Sequence, residues 1–213
     1  MRFSCQTTGS DTERFSVCRA FSLIEMLIVI AVLALLTGLA SLAFDQISLS
    51  MKLDQAGRMI LDEISLARHG AATRNENVEL RFIKAPTSAD PYFSKIQSGV
   101  YDPGSGTPAF RPIRAPAILP PGVRLTTSGD LSPMLTSISS KTNSSPAYDY
   151  VPITIRPNGE IDPINAFPRG NRKKWCITLV SERMAGTSNV NDLNDFITIQ
   201  IDPVTSRAKA YRP

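Results

Sequence analysis

Phe21 to Phe44 reads FSLIEMLIVIAVLALLTGLASLAF, and the reading of this stretch decides the reading of the rest. Glu25 is its one charged residue, and from Met26 onward nothing ionises until Asp45. A helix over these 24 residues, at about 1.5 Å each, is about 36 Å long, enough for a hydrocarbon layer of about 30 Å. Each Leu, Ile, Val or Phe near the centre contributes about −0.3 to −0.6 kcal/mol to insertion, a sum that outweighs Thr37 and Ser41. The stretch therefore predicts a membrane-inserted helix. A carboxylate within such a helix is costly and normally has a partner. The plainer alternative is a polar side chain near a helix end, snorkelling to the interface.

The helical pattern continues past Phe44. Leu49, Leu53, Ala56, Ile60, Ile64, Ala67 and Ala71 recur at spacings of three or four. They form one stripe of a 3.6-period helix, with Lys52, Asp54, Arg58, Asp62 and Glu63 off it. The sequence predicts one helix from about Phe21 to about Thr73, its second half amphipathic and packed on a domain. Gly57 and Gly70 each cost about 1 kcal/mol relative to Ala, and Gly70 reads as a point of fraying. His69, the one histidine, has no Cys or carboxylate cluster beside it and reads as structural.

Arg19-Ala20-Phe21-Ser22-Leu23-Ile24-Glu25 resembles the processing site of type IV pilins and type II secretion pseudopilins. The resemblance implies that a prepilin peptidase cuts between Ala20 and Phe21 and N-methylates Phe21. Ala20 departs from the usual Gly, which bears on processing efficiency. Glu25 becomes the fifth mature residue, and its carboxylate would meet the terminal amine of a neighbouring subunit in a low-dielectric filament core. Residues 66–80, with Leu66-Ala67-Arg68 and Arg74-Asn75, are similar to the helix-to-strand passage of minor pseudopilins of the GspH/FimT type. Trp175-Cys176-Ile177-Thr178-Leu179 and the C-terminal hairpin resemble the Verru_Chthon cassette protein D family of pilin-like proteins. The implied fold is α+β and pilin-like, with a long N-terminal helix packed on an antiparallel β-sheet head. The implied organisation is a leader over 1–20, an assembly and membrane half over 21–44, an amphipathic half over 45–75 and a β-rich head over 76–213. The expected partners are the prepilin peptidase, other pilin subunits and the inner membrane. The expected location is a single-pass anchor in that membrane with the head outside the cytoplasm, followed by a periplasmic or surface filament.

The chain has 213 residues, with 23 basic and 19 acidic side chains and a net charge of +4. Such a mild excess does not by itself imply nucleic acid. Cys5 and Cys18 fall in the leader, which leaves Cys176 without a disulfide partner in the processed chain. In its strand-like run Cys176 reads as a small buried hydrophobe. Met1 to Arg19 also admits a rival reading as a long n-region, with Ser41-Leu42-Ala43 as an ordinary signal-peptidase site. That cut would release a soluble domain beginning at Phe44.

Val78, Leu80 and Phe82 alternate with Glu79 and Arg81, as in a half-buried strand, and Asn75 or Asn77 ends the helix before it. From Ala85 to Ser145, Pro, Gly and Ser permit short strands over Tyr92–Val100 and Val123–Thr127, with a polar loop over Ser137–Ser145. Strands follow over Tyr150–Arg156, Lys174–Val180 and Phe196–Asp202. Pro157-Asn158-Gly159 makes a turn, and Pro203–Ser206 leads into a terminal hairpin through Arg207–Tyr211.

No phosphate loop, dinucleotide fingerprint, metal-ligand spacing or nucleophile elbow occurs in the sequence, so no enzyme and no cofactor is expected. The basic run Arg169-Gly170-Asn171-Arg172-Lys173-Lys174 stands out, with Arg207, Lys209 and Arg212 in the last strand. One reading is a solvated loop and a charged edge strand. The other gives Arg169, Arg172, Lys173 and Lys174 to DNA phosphates, as in DNA-binding minor pilins that the chain resembles.

Overall fold

The computed structural model describes residues 22–84, 92–102, 109–144, 146–162 and 174–212, and their side chains except those of 39–47 and 109. The chain divides after Phe44 into two units. One helix, α1 (Leu23–Arg74), supplies the described part of the first and opens the second.

In the first unit Ser22 starts the helix. Its carbonyl accepts from the N–H groups of Glu25 (3.0 Å) and Met26 (3.2 Å). Its hydroxyl accepts from the N–H of Ile24 at 3.4 Å, the role of an N-cap. The backbone runs on as helix through Ser41-Leu42-Ala43. Among the described residues no helix is long and apolar enough to cross a membrane. The described side chains of the apolar stretch are those of residues 22–38, whereas the span read from the sequence reaches residue 44.

In the second unit the stripe is the core. Leu53, Ala56, Ile60, Ile64, Ala67 and Ala71 are all buried. The helix ends at Asn75, whose φ of 54° is the left-handed conformation that stops helices. Gly70 lies not at a frayed end but under Ile113 and Val78. A methyl group there would stand 3.3 Å from the Ile113 side chain.

The strands are β1 (Val78–Lys84), β2 (Phe93–Asp102), β3 (Ala109–Pro112), β4 (Ala117–Ile118), β5 (Val123–Leu125), β6 (Lys141–Ser144), β7 (Ala147–Ile155), β8 (Ile161–Asp162), β9 (Cys176–Ser181), β10 (Phe196–Ile201) and β11 (Ala208–Tyr211). A short helix, α2 (Pro133–Ser137), precedes β6. The sheet runs β11-β10-β9-β5-β2-β1-β7-β6, with β3 and β4 on β2 and β8 on β7. Every pairing is antiparallel. The fold class is α+β, a helix packed on an antiparallel sheet.

Alternation along the strands separates two faces. Val78, Leu80 and Phe82 of β1, Ile96 of β2, Ile153 and Ile155 of β7, Ile177 of β9 and Ile199 of β10 share one buried cluster with the helix stripe. At about 1.5–3 kcal/mol for each large aliphatic side chain, this cluster is the main source of stability in the head.

Three expectations are corrected here. Lys141–Ser144 is a strand, not a loop, held by backbone pairing to Tyr150–Ala147. Glu63 is not on the solvated side of the helix but fully buried. Glu79 and Arg81 are not the wet face of a half-buried strand; both are buried. Cys176 is half-buried, and burial pushes its thiol above its ordinary value.

Candidate functional site

Two regions carry the candidate site residues, one in each unit. In the first, Glu25 lies in the first turn of α1, where the helix dipole favours a carboxylate by about 0.3–1 kcal/mol. Among the described residues no cation pairs with Glu25. Around it Leu23, Ile24, Met26, Leu27 and Ile28 are exposed, as are the apolar residues that follow as far as Leu36. A contiguous apolar surface of this size marks contact with another protein or with lipid. A lone carboxylate within such a surface needs a cation brought by whatever covers it. Ala20 and Phe21, the expected processing junction, lie outside the described residues.

In the second unit, Arg169, Arg172 and Lys173 of the basic run lie outside the described residues, and Lys174 is exposed. Its neighbour Trp175 is fully buried, and the Trp175 carbonyl accepts from the N–H of Ile201 at 2.8 Å. Two further arginines of the head are already paired. Arg156 meets Asp162 at 2.8 Å, and Arg212 meets both Asp54 and Asp195 at 2.8 Å. The carboxylate hydrogen bonds raise both guanidinium pKa values further above their ordinary range. Arg207 and Lys209 remain exposed toward the end of the chain.

A third feature, the tie between helix and sheet, was not legible in the sequence. The Glu63 carboxylate accepts from the Ser98 N–H (3.2 Å) and the Ser98 hydroxyl (2.6 Å) of β2, and pairs with the Arg114 guanidinium. Glu63 sits next to Ile64 of the stripe, so only the partner on β2 distinguishes it from a solvated flank.

With this geometry in place, one comparison with known proteins finds a match. Residues 16–41 match the prokaryotic N-terminal methylation motif. The methylation motif is a type IV pilin-like prepilin signal, and it takes in Ala20, Phe21 and Glu25. It ends at Ser41, ahead of the head that carries the sheet. No curated protein and no solved structure matches the chain.

Proposed function

We propose that this chain is a structural subunit, a minor pilin or pseudopilin of the GspH/FimT kind, in a type IV pilus-like or secretion-type filament. Prepilin peptidase cuts between Ala20 and Phe21 and methylates the Phe21 amine. Residues 21–44 anchor the subunit in the inner membrane, with the head outside the cytoplasm, until it is extracted into the filament. The observation that carries this reading is the methylation motif lying on the start of a helix whose first apolar side chains are exposed around a carboxylate with no cation partner among the described residues. Burial of that apolar surface against other subunits supplies the driving force. Glu25 sets register by pairing with the terminal amine of a neighbour.

The test is incorporation. Glu25→Ala leaves the protein membrane-bound but lowers its recovery in sheared or purified filaments about tenfold or more, which corresponds to a loss of about 1.4 kcal/mol or more per contact. Undiminished recovery would remove Glu25 from assembly. DNA as a partner is the weaker reading, because two further arginines of the head, Arg156 and Arg212, are already paired with carboxylates.

A further inference from the structure

The face of the sheet turned away from α1 carries a cleft of about 1030 Å³. Its floor comes from β1 and β2, one wall from the β6–β7 hairpin and the other from β3. The inner part of the floor is Arg81, which is 3% exposed. Its Nε donates to Glu79 Oε1 at 2.6 Å, and its Nη1 donates to the Tyr148 hydroxyl (3.1 Å) and to Asn143 Oδ1 (3.4 Å). The guanidinium carbon lies 3.5 Å from the centre of the Phe110 ring and 4.1 Å from that of Tyr150. Gly99 makes the first stack possible, because a Cβ there would sit 2.5 Å from the Phe110 ring.

This arrangement is expensive. Burying an ion pair on the face of a sheet that has no helix against it among the described residues costs more in desolvation than an apolar pair would. Among the described residues the second oxygen of Glu79 has no hydrogen-bond partner. The core on the opposite face does not require the pair, so the residues hold a guanidinium rigidly where a cleft needs one.

The charges around Arg81 indicate what enters. Lys84, Lys95 and Lys141 line the cleft with it, and among the described residues no carboxylate does. Among the described residues none of the three lysines is paired with a carboxylate. Like charges lining one cleft repel and are relieved by an anion bound among them, and a concave low-dielectric wall concentrates their field. The volume is that of a small-molecule site, not of a duplex groove. Arg81 stacks on Phe110 and Tyr150, and Lys141 lies over Tyr101 at 5.7 Å, so these rings serve cations and not nucleic-acid bases. We propose that this cleft binds a compact ligand carrying two or more anionic groups, phosphate or carboxylate, through Lys84, Lys95 and Lys141, with Arg81 as its fixed inner wall.

The test is calorimetry on the full-length chain in detergent micelles at low salt, with pyrophosphate and citrate as separate probes. The expected result is saturable one-site binding of at least one probe, weakened tenfold or more in Lys95→Gln/Lys141→Gln and unchanged in Arg207→Gln. Binding of pyrophosphate alone assigns the site to phosphate ligands, and binding of citrate alone to carboxylates. Binding of neither probe would overturn the proposal. So would equal binding by the double variant, or an equal loss in Arg207→Gln, since that lies outside the cleft.

Discussion

Single charged side chains carry much of this account, and each follows from where it is desolvated. Arg114 is about half exposed, whereas its partner Glu63 is fully buried, so the two ends of this pair are not equivalent. Arg114→Ala leaves a buried carboxylate held by Ser98 alone. It is expected to cost about 3 kcal/mol in chemical denaturation, the low end for a broken buried pair because Arg114 itself still reaches water. Glu63→Gln keeps the Ser98 contacts and costs less. Tyr150 gives a pH signature for the outer face. Burial, then the nearby Glu79 charge, raises its pKa above the ordinary 10.0. The folded state therefore holds this proton to higher pH than the unfolded state, and stability falls as pH rises from about 10. Ultraviolet titration should show one tyrosine ionising late, and Tyr150→Phe should remove both that step and part of the alkaline loss of stability.

At the scale of elements, α1 does most to organise the head, and its features are the ones that sequence expresses best. The Leu53–Ala71 stripe, the terminating Asn75 and the alternation of β10 are local patterns, and they are present as read. Ile60→Ala in the middle of the stripe is expected to cost about 2–5 kcal/mol by thermal or denaturant unfolding, because the sheet cannot collapse fully onto the gap. Strand β6 was not legible. Lys141-Thr142-Asn143-Ser144 has no apolar period, and only the backbone of β7 makes it a strand. The burial of Glu79 and Arg81 was hidden for a related reason. Alternating charges in a strand read as a wet face, and the residues that cover Arg81, among them Phe110, Tyr148 and Tyr150, are distant in sequence. The methylation motif was readable because it is a contiguous run, whereas the cleft is assembled from β1, β2, β3, β6 and β7.

For the whole molecule, the two units are separate kinds of surface. Among its described residues the first presents apolar side chains and the carboxylate of Glu25 with no cation paired to it, and it carries the methylation motif. The second is a closed α+β core whose polar features face outward or tie helix to sheet. A filament subunit needs this division, since one part must be buried by other subunits and the other must fold before they arrive. The claim that the first unit is a processed assembly segment is tested most directly by the mass and N-terminal residue of the mature protein from cell envelopes. The account predicts a chain lacking residues 1–20 and beginning with N-methylated Phe21. A chain beginning at Phe44, or an intact chain retaining Met1, would contradict it.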